Sequence, residues 1–389
     1  MVDSGFTITR AIQSRSWPAA SANIEYAAVW GTVSTVADGS ERVADDVVVP
    51  RVSTLLEPAG AVDGPPLQLS ANSGVTFEGC KLIGMGFILP PAEAKAWVDQ
   101  DERNSQVLFP YLSGEDLYSR ADTSPSRWVV DFNDFSQEHA SDYAAPFHRV
   151  VERVKPERAR NNRKIYRDYW WHYAEKRPAL RRAISDLKDV LVLARVSRTV
   201  MPVRVPTGQV YSDSLTVFAT DSFADQAVLS SSLHQMWAIK YGSGMRNDPR
   251  YTPSDVFETF PRPVPTDWLD ANGRTLDTER REIMLRRELG LTKLYNLVND
   301  PDITESADPD VARMRAIHVE LDNAVMAAYG WSDVPLDHGF HTYRQMQRWT
   351  VSPFARVEIL DRLLAENHRR AALQGAAPVA PSDDDEEVP

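Results

Sequence analysis

Hydrophobic positions first gather between Asn23 and Val36, where NIEYAAVWGTVSTV reads as a strand. A polar ADGSE turn and a second β-rich run, VADDVVVPRVSTLL, complete an expected hairpin. Two strands alone are marginal in water, so other structure must cover them. The Pro/Gly-rich connector EPAGAVDGPP, Glu57 to Pro66, leads into VTFEGCKLIGMGFILPPAEAKAWV. There Gly79, Gly84 and Gly86 punctuate β-rich sequence before a short helix from about Pro91. NSQVLFPYLSGEDLYSR and SRWVVDFNDF each read as a strand followed by a turn. The segment 145–193 reads as helix, with Val154, Ile165, Tyr169 and His172 on roughly one face and interruptions at Pro156 and Pro178. Val203 to Val210 and Ser214 to Ala219 are again β-rich. Ala224, Val228, Leu229, Leu233, Met236 and Trp237 then recur at helical spacing, between an N-cap at Ser222 and a stop at Gly242. After Pro263 the pattern is helical throughout. Asp308-Pro309 starts one helix, whose stripe is Met314, Ile317, Leu321, Ala324 and Ala328 and whose end is Gly330; another begins at Ser352. The Ala/Pro-rich and acidic end is expected to be disordered.

Length and composition place these elements in a soluble protein of two or three domains: 389 residues, 43% hydrophobic and 25% charged. A single cysteine, Cys80, forms no internal disulfide, and a reducing cytoplasm is the simplest setting. No apolar run reaches the length of a membrane span, and the first residues lack the layout of a signal peptide. Charge changes the picture more. The chain totals -12, yet from Arg149 to Arg204 sixteen Lys or Arg face six Asp or Glu, a local +10 that leaves -22 elsewhere. This asymmetry points to one polyanion-facing surface, or to a surface helix carrying solvated arginines.

Catalytic signatures are sparse. The sequence has no phosphate-cradling Gly-x-x-x-x-Gly-Lys-Ser/Thr and no Gly-x-Ser-x-Gly elbow. His338 and His341 have metal-like spacing but read better as packed or capping residues, and Glu93-Ala-Lys95 is a nuclease-like tripeptide without a convincing preceding Asp. An adenine methyltransferase needs an Asn/Asp-Pro-Pro-aromatic tetrapeptide that holds the flipped base. The two Pro-Pro pairs, Pro65-Pro66 and Pro90-Pro91, have neither the required residue before them nor the aromatic after.

Taken in order, FEGCKLIGMGFIL, VLFPYLSGEDL, RWVVDF, VKPERARNNR, YWWHYAEKRPALRRAI, VLSSSLHQMWAIKYGSGMRNDPRYTPSDVFETFPRP, GLTKLYNLVNDP, HVELDNAVMAAYGWSDVPLDHGF and RWTVSPFARVEILDRLLAENHRR make the chain resemble the C-terminal half of MmeI-like adenine-specific DNA methyltransferases. That family includes fused restriction-modification enzymes and relatives in DISARM and BREX phage defence. The resemblance implies an α+β fold. Residues 1–60 would be strands like those ending a methyltransferase domain, 61–265 a mixed α/β target recognition domain, 266–374 an all-helical C-terminal domain, and 375–389 an acidic tail. The implied partners are double-stranded DNA and a separately encoded methyltransferase chain that holds S-adenosylmethionine, with no cofactor and no catalytic residue in this chain. Half of a split methyltransferase, active only when assembled, and a scaffold or decoy without DNA binding are the alternatives.

Base reading calls for Arg or Lys at guanine and Asn or Gln at adenine, and the loop after Tyr241 holds these types between glycines. The expected DNA contacts are Arg246, Lys240, Asn247 and Arg250, followed by Arg195, Arg198, Arg163 and Lys164. Trp170, Trp171 and Trp237 are expected in the core.

Overall fold

The computed structural model describes residues 6–17, 25–37, 39–49, 51–52, 56, 58–59, 64–243, 250–343 and 346–374. Its first sheet has the strand order Glu25–Thr32, Thr7–Ser16, Arg42–Ala44, Val47–Val49. The strand expected near Asn23 is present, but its pairing differs from the expected hairpin. Its antiparallel partner is Thr7–Ser16, and Arg42–Ala44 runs parallel to that same strand. Thr7–Ser16 escapes a pattern search because irregularities at Ile8/Arg10 and Ile12/Arg15 break its period-two alternation, leaving Ile8, Ala11 and Ile12 as its buried apolar positions.

Two more four-stranded sheets follow. One runs Val210–Tyr211, Leu108–Leu112, Arg127–Val130, Ile88–Leu89; the other, antiparallel throughout, runs Val203–Pro206, Asp189–Ala194, Leu215–Phe218, Thr76–Glu78. The central strand Asp189–Ala194, DVLVLA, is buried over its last five residues and falls inside the stretch expected to be helical. That stretch is instead four short helices, Ala144–Arg153, Lys155–Arg158, Lys164–Asp168 and Pro178–Ala183, and then the strand. Arg177 sits at φ 56° ahead of Pro178, which ends any continuous helix there. Val190 and Val192 favour the pleated surface they occupy.

The helix expected from Ser222 to Gly242 is likewise two, Phe223–Ser230 and Ser232–Tyr241. Ser231 is extended and caps the second, its Oγ accepting from the His234 N–H at 3.3 Å, while Asp322 accepts from the Ser232 N–H at 2.8 Å. Asp308 caps Pro309–Tyr329, Gly330 at φ 74° ends it, and Ser352 caps Pro353–Leu373, as their sequences predict. A short hairpin, Gly339–Tyr343 with Met346–Thr350, adds to the helices after residue 265.

Two apolar cores organise the molecule. One lies against the first of these two sheets and contains Phe87, Phe132, Trp170, Trp171 and Tyr173. The other joins Asp189–Ala194 and its neighbours to Trp237, Phe257 and Phe260 and to the helices that follow, through Leu276, Leu294, Leu321 and Leu363. Phe260-Pro261-Arg262-Pro263 is the joint of this second core. The Arg262 guanidinium meets Asp225 at 3.1 Å and the Asn72 Oδ1 at 2.9 Å, and its carbonyl accepts from Arg370 Nη1 at 2.6 Å. The Pro261 carbonyl accepts from the Tyr329 hydroxyl at 2.9 Å. Arg262→Ala is therefore expected to destabilise the fold by roughly 1–3 kcal/mol, read as a lower urea midpoint, without changing the salt dependence of DNA binding.

Candidate nucleic-acid interface

The basic excess between Arg149 and Arg204 divides into two populations. One is structural. Arg149 is buried, donating to the Gly86 carbonyl at 2.8 Å and the Ile88 carbonyl at 2.5 Å and pairing with Glu93 at 2.7 Å. Arg158, 1% exposed, donates to the Leu82 and Ile83 carbonyls, each at 2.5 Å, and to the His172 carbonyl at 3.1 Å. Its burial pulls the guanidinium down to about 10, which still leaves it charged at neutral pH. Arg177 pairs with Glu78 at 2.9 Å, and Arg181 with buried Asp131 at 2.7 Å. Arg204 lies 3.9 Å from the Phe223 ring centroid.

The second population faces water. Arg153, Lys155, Arg160, Arg163, Lys164 and Arg167 are all exposed within a strap of fifteen residues, against one acid, Glu157. The strap is fixed by its own bonds. Arg167 Nη1 donates to the Asn161 carbonyl at 2.6 Å and the Asn162 carbonyl at 3.0 Å, and the Arg163 N–H donates to Asn161 Oδ1 at 2.9 Å. Arg163 also donates to the Tyr166 hydroxyl at 2.9 Å, and Lys155 sits 4.9 Å from the Trp170 ring. Among the described residues, Arg153, Arg160 and Lys164 make no side-chain hydrogen bond or ion pair. Tyr169, 41% exposed and stacked on His172 at 5.9 Å, adds an open aromatic face beside them.

A second cluster forms where the chain leaves the Ser232–Tyr241 helix. Ser243 and Arg250 pair as an isolated bridge, and Arg250 also bridges to Val196. The Tyr251 N–H donates to the Arg195 carbonyl at 2.7 Å, drawing the segment around Arg195 and Arg198 to this base. A Cβ on Gly242 would stand 2.9 Å from the Arg250 carbonyl, so this glycine makes room for the chain itself. Arg250 and Arg198 are exposed, and Lys240 is half-buried with its ammonium 5.5 Å from the Tyr241 ring. Arg195 turns inward instead: its guanidinium pairs with Glu78 and donates to the Asp213 carbonyl at 3.2 Å. The Arg198 carbonyl accepts from Arg348, whose guanidinium burial pulls down to about 10. Arg246 and Asn247 lie outside the described residues.

The expected contacts therefore fall into two groups. Arg163 and Lys164 belong to the strap, whereas Lys240, Arg250, Arg195 and Arg198 share the strand-bridge cluster. Reasoning from sequence did not single out Arg153, Lys155, Arg160 or Arg167, although the charge count over this segment was the signal that contained them.

Elsewhere, His338 Nε2 lies 2.9 Å from Asp322 and His341 Nε2 lies 3.1 Å from the Asp337 carbonyl. Among the described residues no group of three His, Cys, Asp or Glu is placed to hold a metal ion. Cys80 is buried, and burial pushes its thiol up to about 11. It should stay unmodified by a disulfide reagent at pH 8 until the protein is unfolded, a result read as thiol release with and without denaturant.

The described residues form layered sheets buttressed by helices, with a basic strap on one sheet's helical cover. The family model described as MmeI, target recognition domain, matches residues 69–264, half of the chain, and the chain belongs to that family. Among solved structures, the type IIL restriction-modification enzyme MmeI in complex with DNA superposes with a TM-score of 0.62 at 15% identity, covering 95% of this chain and 46% of that one. This chain thus spans less than half the length of that enzyme, and at this identity the likeness establishes the fold alone. No curated protein gives a significant match. Among the described residues no helix is long and apolar enough to cross a membrane.

Proposed function

We propose that this chain reads the DNA target sequence for an adenine-specific methyltransferase of a restriction-modification or phage-defence system, in the cytoplasm, without holding the catalytic core itself. The observation that carries this reading is the strap from Arg153 to Arg167, whose six exposed basic side chains stand on a recognition-domain fold within an acidic protein. The solved enzyme with the similar fold was captured on DNA, which supports duplex DNA as the partner. Strap residues, including Arg163 and Lys164, would neutralise phosphates and supply sequence-independent affinity. Lys240, Arg246, Asn247, Arg250 and Arg198 would lie at or near base edges, with Arg195 positioning the segment through Glu78.

Methyl transfer would come from a separately encoded methyltransferase chain, which would bind S-adenosylmethionine and the flipped adenine. The strand Glu25–Thr32 supports a docking surface, since it lies at a sheet edge and carries Val29 and Trp30 exposed.

Titrating random-sequence duplex DNA across a salt series tests the proposal. Affinity should fall steeply with salt, and Arg246→Ala should relax preference at one base position in a selected-sequence pool. An absence of binding at low ionic strength would defeat the reading.

A further inference from the structure

The segment Leu82-Ile83-Gly84-Met85-Gly86-Phe87 is built at unusual cost for a surface turn. Ile83, a β-branched residue, adopts φ 44°, a region such residues avoid, and Gly84 adopts φ 134°. A Cβ on Gly86 would lie 2.5 Å from Arg153 Cβ, and one on Gly84 would lie 3.1 Å from Val154 Cγ1. The turn therefore rests directly on the start of the basic strap. Both of its flanks are anchored, with Leu82 and Phe87 in the core and Phe87 edge-on to Tyr173 at 5.2 Å. Three of its carbonyls and that of the adjoining Ile88 are held by two buried guanidiniums: Arg158 takes Leu82 and Ile83, and Arg149 takes Gly86 and Ile88. The residue left at the tip is Met85, 70% exposed, flexible and apolar. It contributes nothing to either core, so packing does not account for an apolar side chain at this rigid tip.

We infer that Met85 is an apolar wedge that presses into the base stack of the duplex held by the neighbouring strap. The inference rests on the DNA-reading function proposed above. Charge complementarity selects the occupant, because the turn stands on Arg153 and Val154 and the strap's cations would grip phosphates on either side of whatever Met85 enters. Proteins that deform DNA insert Met, Leu, Ile or Phe between base steps and hold the phosphates around them, and a wedge acts only if its mount does not yield. The clamped turn supplies such a mount.

The test uses the full chain and a random-sequence duplex of about 30 base pairs, intact or carrying one central mismatch beside 2-aminopurine. A mismatch lowers the cost of unstacking, so the wild-type protein should bind the mismatched duplex roughly fivefold or more tightly and raise the 2-aminopurine fluorescence. Met85→Ala should lose both the preference and the fluorescence rise while keeping the salt slope on the intact duplex, and Met85→Leu should restore them. Equal binding of both duplexes by the wild type overturns the inference. So does a preference that survives Met85→Ala, or a loss of binding to both duplexes alike in that variant. No salt-dependent binding to either duplex by the wild type would instead strike the DNA-reading function itself.

Discussion

Replacing Arg160, Arg163 and Lys164 together with alanine is expected to lower affinity for duplex DNA at about 0.1 M salt by on the order of 10²-fold and to reduce the slope of log affinity against log salt by about 3. The number follows from the counterions each phosphate contact releases, close to one per neutralised phosphate on a duplex. All three side chains are exposed, and Arg163 alone has a side-chain partner among the described residues, the neutral Tyr166 hydroxyl, so removing them leaves no buried charge unpaired. Thermal stability should therefore stay within about 1 kcal/mol of wild type. The loss should also be nearly equal for all sequences, because phosphates carry no base identity. A fluorescence-anisotropy titration at several salt concentrations checks it, and an unchanged slope would remove the strap from the interface.

That prediction depends on a distinction the sequence does not make. Arg158 and Arg160 are two residues apart, of the same type and in the same basic run. One is 1% exposed and the other open to water. What separates them is the Ile83 carbonyl 75 residues upstream, which Arg158 reaches only after the turn and the strap have packed together. Charge counting locates a basic surface, but tertiary hydrogen bonding decides which cations remain available to a ligand. Elements with local chemistry were legible for the same reason in reverse. Asp308, Gly330 and Ser352 act on their own turns, so the helix bounds they set follow from sequence. Thr7–Ser16 was not legible, since its inward set is interrupted by irregularities that only its partner strands define. Nor was Asp189–Ala194, where a fully buried strand and a helix segment share one apolar signature. At the candidate site, residue types were readable and commitments were not. Arg195 is of the same type as the other candidate cations, yet Glu78 and the Asp213 carbonyl occupy its guanidinium.

The fold should also lose stability sharply between pH 6.5 and about 4, through two histidines in the core shared by the second recognition-domain sheet and the helices. His234 is fully buried; its Nδ1 lies 2.8 Å from the Leu229 carbonyl, which only accepts, so Nδ1 carries the proton and Nε2 accepts from the Tyr251 hydroxyl at 3.0 Å. His318, also buried, meets the Tyr295 hydroxyl at 2.9 Å. Desolvation pulls each down to about 4; for His318, Arg280 and His338 act in the same direction and Asp322 opposes them. In the unfolded chain both titrate near 6.5. Above pH 6.5 both states hold neutral imidazoles and the full stability is present. As pH falls towards 4, the unfolded chain takes up two protons that the core refuses, at about 3 kcal/mol for each histidine. Together that approaches the whole stability of an ordinary domain. Depressed carboxylates act elsewhere on the scale: Glu366, held down to about 2 first by its hydrogen bond to Arg369 and also by Arg370, loses its contribution below the range where the histidines act. Urea midpoints measured at pH 7.5 and pH 4.5 should therefore differ strongly, and the difference should shrink by about half in His318→Gln, which keeps a hydrogen-bonding group near Tyr295 without a titrating ring. A midpoint indifferent to pH across this window would mean that the core admits the protons, and that neither histidine is sealed from water.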